Sequence, residues 1–496
     1  MDRDEHVKRI GNSKKRGIWG GWLVLGSVVA VWVGVTGVLW FATGSKAGGQ
    51  ELGGSNSTAR TTTPIQAVSF DDSDLEDADA GDSYLRVLTE GTRTSLQVAV
   101  RRFQPVSGNG PIIWLTGVVH LGEGEYYSQL QGHLDAVDRV LFEGVGRPSF
   151  AEPGATSDRA KWSRSWEAVR FLGHAAERIN KATGQYPNDL PGLRQAVAEQ
   201  QSMEAAWLRH AIADAWGRPM LYEVNAGELE IGSLGADGQR GGDNSNQDIF
   251  LTNQPGFDDE ELEDPDGLQI VLADALGLRF QLNSIHYDRE NFVHSDLTLN
   301  ELSRVMAGES MEDVLSGTDD NGIRPGDEVE MVEMTAGNPE LDMVRGMLDG
   351  SSMLGGFVRG VVGMLKISPR LQTVVRLVMA ETLGSIEGDI SESPALPPAM
   401  RELMRALIRD RNEVVVRDLK SAIQEQTPPS SISVFYGAGH MTDLETRLIT
   451  EFDYQPDGQV WLEAFGADAA DTGMSQEQVD GLRAVIQVQM RMMNGQ

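Results

Sequence analysis

The sequence has no cysteine, which rules out disulfides, thiolate catalysis and cysteine-based zinc sites and is compatible with any compartment. It is also short of positive charge. Lys and Arg number 42 against 74 Asp and Glu in 496 residues, a formal net charge of −32. Phosphate recognition needs the opposite balance, so the composition argues against nucleic acid as a partner. Such acidity favours solubility and attracts cations. No repeat of fixed period runs along the chain, and histidine is scarce, with eight in all. What is present in ordinary measure is apolar side chain, 40% of residues, enough for packed cores in two or three domains at this length.

One run stands apart for lacking charge altogether: IWGGWLVLGSVVAVWVGVTGVLWFATG, residues 18–44. About 20 apolar residues span a bilayer as a helix, so a transmembrane helix is expected over 18–43. Trp19, Trp22 and Trp40 sit near its ends, and a basic tail, 1–17, carries Lys8, Arg9, Lys14, Lys15 and Arg16. The positive-inside rule then predicts a single-pass membrane protein with a cytoplasmic N-terminus and an extracytoplasmic body. A cleaved signal peptide is the competing reading, because FATGSKAGG offers small residues, although its apolar core should be only about 7–15 residues.

Residues 44–83 read as a flexible acidic linker. The remainder divides into an α/β domain in two parts, 84–156 and 268–470, around an insert at 157–250 and an acidic hinge at 251–267 (DDEELEDPDG lies within it). A C-terminal helix closes the chain over 471–496. In the first part SLQVAVRRF alternates like a half-buried strand, and PIIWLTGVV is continuously apolar. YYSQLQGHLDAVD is amphipathic and leads into RVLFEG. That β-α-β order predicts a sheet of parallel type with helices on it. Helices predominate over 338–425, and the apolar stretch SMLGGFVRGVVGMLKISPRLQTVVRLVMAETL is interrupted by Arg359, Lys366, Pro369 and Arg370. It therefore reads as buried helices.

Three apolar strands each end in a group able to bind a metal or move a proton. IIWLTGVVH ends at Gly117-x-x-His120, RVLFEG at Glu143, and ISVFYGAGH at Gly437-x-x-His440. In open α/β sheets ligands gather outside the carboxyl ends of the strands. His120, Glu143 and His440 therefore form a candidate set for a divalent transition metal, with Mn, Co and Zn all open, or for acid–base work. The glycines at 117 and 437 are expected to let the chain turn sharply there. The plainer alternative is three polar residues satisfied locally. Glu123 and Glu125 in the following loop read as solvated charges or a further ligand or base, and His286 and His294 in SIHYDRENFVHSD are lesser candidates.

WLTGVVHLGEGEYYSQLQGHLDAVDRVLFEGVG, RDRNEVVVRDLKSAI and SVFYGAGHMTDLETRLITEFDYQP together resemble the TraB/GumN family of the TIKI-type superfamily. The resemblance covers residues 95–150 and 265–465. It implies an α/β core in which His120, Glu143 and His440 bind a divalent metal, and Arg411 and Asn412 orient the carboxylate or an anionic substrate group. It further implies a metal-dependent, peptidase-like hydrolase of a peptide or ester substrate. The chain departs from that pattern at Glu143-Gly144, where the family often has Glu-Leu.

The insert has a likeness of its own. GQYPNDLPGL, DAWGRPMLYEV and SLGADGQRGGDNSNQDI resemble the C-terminal globular part of a type II secretion major pseudopilin, an α+β domain. That resemblance implies calcium bound in the last loop, where Asp237, Asp243 and Asp248 offer hard oxygen ligands on a glycine-rich backbone. A solvated Asp-Gly turn is the simpler reading of the same residues. Two functions follow as expectations: an anchored extracytoplasmic hydrolase, or a non-catalytic surface scaffold that meets a protein partner through the calcium-ordered insert.

Overall fold

The computed structural model describes residues 70–144, 149–151, 157–199, 204–225, 227–251, 268–297, 310–316, 368–385 and 405–493, with single positions at 301, 305 and 365. Strands β1 (Leu85–Glu90) and β2 (Arg93–Pro105) meet across Gly91, whose φ of +61° suits a residue without Cβ. The loop 106–111 then leads to β3 (Ile112–Val118). Next come β4 (Leu121–Gly122), α1 (Gly124–Ala136) and β5 (Arg139–Phe142). Tyr126, Tyr127, Leu130 and Leu134 turn one face of α1 into the core.

The inserted module follows β5. Its helices are α2 (Asp158–Thr183), α3 (Leu190–Glu199) and α4 (Glu204–Ala211), and its sheet is β6 (Leu221–Asn225), β7 (Glu228–Ser233) and β8 (Ile249–Phe250). Ser157 starts α2 by accepting a hydrogen bond from the Ala160 amide, and Gly184 ends it in the left-handed region at φ +80°. Trp162, Trp166, Val169, Leu172 and Ile179 of that helix pack on Ile231 and Ile249 of the small antiparallel sheet. The module therefore has a core of its own.

The chain returns through α5 (Leu268–Leu276), β9 (Arg279–Phe280), β10 (Phe292–His294) and α6 (Met311–Ser316). Helices α7 (Pro369–Gly384) and α8 (Arg411–Ile423) precede β11 (Ser431–Gly437), α9 (Met441–Phe452), β12 (Tyr454–Asp468) and α10 (Gln476–Met493). Ser368 caps α7 through the Leu371 amide, and Pro369 opens it where no amide donor is needed. This part of the apolar stretch is a buried helix, with Val374, Val375, Leu377 and Val378 inside.

The expected parallel-type sheet is corrected to a mixed one. β3, β11, β5 and β10 run parallel, whereas β1, β3 and β12 all pair antiparallel with β2. The reason is connection length: the turn at Gly91 and the loop 106–111 are too short for a crossover, which parallel neighbours require. The alternation of β2 also misleads, because its polar position Arg101 is fully buried and paired with Glu445 at 2.6 Å. The expected membrane helix finds no support among the described residues. Among the described residues no helix is long and apolar enough to cross a membrane. Helix α2 has 26 residues, but charges recur along its length. The run 18–43 itself lies outside the described residues.

Candidate functional site at the carboxyl ends of the parallel strands

β11 lies between β3 and β5, with Gly437 opposite Val118 and Phe435 opposite Phe142. This register brings the three strand ends to one edge. Glu143 follows β5 directly, His440 sits in a single 3₁₀ turn after β11, and His120 lies one residue beyond Val119 after β3.

Glu143 is held from several sides. Its Oε2 accepts the Gly437 amide at 2.7 Å, and its Oε1 accepts Arg411 Nη2 at 2.7 Å. A Cβ built on Gly437 would lie 3.3 Å from that Oε2. Neither Gly437 nor Gly117 has a positive φ, so the expected sharp turns are not their role. Gly437 lets the carboxylate approach the backbone, and Gly117 packs tightly under Val98 and the Ala99 carbonyl. Burial by itself would raise the Glu143 pKa. The charges of Arg411, His440 and His120 and the Gly437 amide outweigh it and hold the carboxyl at about 2.

Arg411, the first residue of α8, is clamped by Asp296, which accepts Nε at 2.9 Å and Nη2 at 2.6 Å. Side-chain exposures of 7% for Arg411 and 0% for Asp296 make this a desolvated bidentate pair. Both carboxylates raise the Arg411 pKa against the effect of burial.

The protonation of His440 can be read from its neighbour. Asn412 Nδ2 donates to the His440 carbonyl at 3.2 Å and to Asp443 Oδ2 at 2.9 Å, which fixes the orientation of that amide. Asn412 Oδ1 is then the acceptor 2.8 Å from His440 Nδ1, so Nδ1 carries the proton. Burial lowers the imidazole pKa, Glu143 opposing. The neutral Nε2 faces Arg411 Nη1 at 3.4 Å and Glu143 Oε1 at 3.7 Å. His120 is oriented by the same logic. Gln281 Nε2 donates to the Tyr287 hydroxyl, and its Oε1 accepts from His120 Nδ1 at 2.8 Å. His120 itself is exposed.

The structure therefore brings Glu143, Arg411, Asn412 and His440 into contact, with His120 close enough for its charge to act on Glu143. Glu123 is elsewhere, paired with Arg376 at 3.3 Å, and Glu125 is exposed in the first turn of α1. His286 lies 3.9 Å from Asp288. His294 is nearer, with Nε2 2.6 Å from the Gly144 carbonyl. Sequence reasoning missed Asp296, Gln281 and Asp443. The hints were Asp296, which closes SIHYDRENFVHSD, and Asp443, which lies three residues after His440.

Two imidazoles with Nδ1 held by amide oxygens resemble oriented metal ligands. The carboxylate between them is already taken, however, with one oxygen on a guanidinium and the other on an amide. Among the described residues no group of three or more His, Asp and Glu side chains is arranged to hold a metal ion. In this arrangement the charge partner of the Glu143 carboxylate is the Arg411 guanidinium.

In the module's last loop, Asp237 Oδ1 accepts the Gln239 amide and Asp248 Oδ2 accepts the Gly241 amide. Asp243 is exposed. These three carboxylates do not converge, and Asp248 Oδ1 is buried with no hydrogen-bond partner.

Residues 154–252 match the family model of type II secretion system (T2SS), protein G. The insert is thus a pseudopilin-like domain. A comparison with curated proteins found no match. The match does not extend to the α/β unit, and neither comparison shows the TraB/GumN family.

Proposed function

We propose that the α/β unit is a hydrolase of amide or ester carbonyls, and that the pseudopilin-like domain meets a protein partner in a secretion-related setting. The observation that carries the catalytic half is His440, neutral, with Nδ1 locked by Asn412 and Nε2 beside an ionised Glu143. In the proposed reaction a water gives its proton to His440 Nε2 as its oxygen attacks the carbonyl carbon. Glu143 stabilises the imidazolium so formed, and Arg411 offsets the charge on the carbonyl oxygen. The exposed His120 delivers a proton to the leaving amine or alkoxide as the C–N or C–O bond breaks. General acid–base catalysis of this kind contributes about 10²–10⁴-fold. No step is routed through a divalent transition metal.

In the domain, Asp248 is the residue we assign to Ca²⁺, with Asp237 and Asp243 as further oxygen donors. The ion would neutralise these carboxylates and order the glycine-rich loop. The orphaned Asp248 oxygen supports this reading.

The test is hydrolysis of peptide and nitrophenyl-ester libraries by the whole chain in chelator, comparing wild type with His440→Ala and Glu143→Gln. The expected result is turnover that falls about 100-fold or more in both variants. Turnover equal in all three proteins would overturn the assignment. No turnover in wild type would leave a non-catalytic scaffold acting through its pseudopilin-like domain.

A further inference from the structure

The pseudopilin-like domain enters the chain shortly after Glu143, and its helix α4 covers the residues on either side of that carboxylate. The Trp207 indole lies against Phe142, which precedes Glu143, with ring centroids 6.1 Å apart. It meets the ring of His294 edge-on at 5.0 Å. The Gly144 carbonyl, which follows Glu143, can only accept, so the proton shared with His294 at 2.6 Å sits on Nε2. The Gly144 amide in turn donates to Asp296 Oδ2 at 2.9 Å, and Asp296 is the clamp on Arg411. Arg209, two residues along α4, donates to the carbonyls of Arg289 and Phe292 and fixes the helix beside β10. Trp207 and His294 are both buried. A continuous path of packed and hydrogen-bonded groups thus runs from the domain to Glu143 Oε1.

We infer that Trp207 and His294 are positioning residues for Glu143, so that the seating of the pseudopilin-like domain sets the geometry of the catalytic carboxylate. This rests on the reading of Glu143 as part of the hydrolytic site. Its consequence is regulatory: a partner that shifts α4 acts on the site without touching it, because Phe142 and Gly144 move with the helix.

The experiment compares whole chains of wild type, Trp207→Ala, Trp207→Phe, His294→Ala and Trp162→Ala. Trp162 is buried in the domain's own core and away from the α/β unit, so its replacement controls for loosening of the domain. Amide hydrogen exchange of residues 139–144 is the first readout, and kcat and KM on the substrate found above are the second. Trp207→Ala and His294→Ala are expected to speed exchange in 139–144 by about 10-fold and to lower kcat by a similar factor with KM held. Trp207→Phe should restore most of both, and Trp162→Ala should change neither. Unchanged exchange in Trp207→Ala, or the same change in Trp162→Ala, would overturn the inference. A wild type without turnover would remove the hydrolase reading alone, since the exchange result still decides whether the domain positions residues 139–144.

Discussion

The α/β unit and the pseudopilin-like domain handle charge in opposite ways. The first buries it in partnered form: Asp296, Arg411, Glu143 and the neutral His440 interlock, with Glu143 the member most open to solvent. The second keeps Asp237 and Asp243 at the surface of a glycine-rich loop and leaves a single buried oxygen of Asp248 without a donor. A buried network is complete in itself, so its chemistry depends on geometry and protonation. The open loop leaves one buried oxygen unpaired, and on the proposed reading an added ion completes it. The difference teaches where each half should respond: the α/β unit to substitution and pH, the domain to calcium.

The largest effect expected is on the buried side. Asp296→Ala strips Arg411 of its bidentate partner and should cost about 3–5 kcal/mol in urea denaturation, with the unfolding of the domain unchanged. A loss below about 1 kcal/mol would mean that the network is no more than a surface-like ion pair. The domain should answer next. At a hundred times its Kd, calcium should stabilise the domain by about 2.7 kcal/mol, an effect absent in Asp248→Ala. Thermal scans with and without chelator read this, and equal stabilisation of wild type and variant would remove the assignment.

Acid separates the two regions more gently. Burial lowers the pKa of His133 to about 3, and the same cause lowers that of His440. Glu143 is held at about 2 against an ordinary 4.5. In each case the unfolded chain takes up its proton first. The stabilisation from the two histidines is therefore complete above about pH 6.5 and fades as pH falls, to about 3 for His133. The contribution of Glu143 fades from 4.5 toward about 2. Urea midpoints measured between pH 7 and pH 3 should fall for the α/β unit, and His133→Gln should flatten that slope. A midpoint independent of pH would contradict the buried neutral imidazoles. The smallest effect belongs to the exposed pair Arg139–Glu425. Glu425→Ala should leave the urea midpoint of the α/β unit nearly unchanged.

The site was partly legible because its chemistry sits where apolar runs stop. Gly117-x-x-His120, Phe142-Glu143 and Gly437-x-x-His440 announce strand ends, and adjacency of the strands does the rest. Asp296 was not legible, since nothing near it in sequence shows that its carboxylate will meet Arg411 across the fold. Gln281 and Asp443 act the same way, gaining a role only from what packs against them. In the sheet, the continuous runs of β3 and β11 marked strands buried on both faces. The alternating β2 did not reveal that Arg101 is buried, because its partner Glu445 lies on a distant helix. The antiparallel half was readable from the short loop 106–111, a cue weaker than the β-α-β pattern beside it. The domain was the clearest part, because its local motifs carry their own core.

The most direct test of the central claim is ¹⁵N-imidazole NMR of His440, one of only eight histidines, followed from pH 8 to pH 4 and then with added Mn, Co or Zn. A neutral ring protonated at Nδ1 is expected, titrating below the ordinary value of 6.5, lost as a signal in His440→Ala and unmoved by the metals. Titration at or above 6.5, or a stoichiometric metal shift on Nε2, would contradict it.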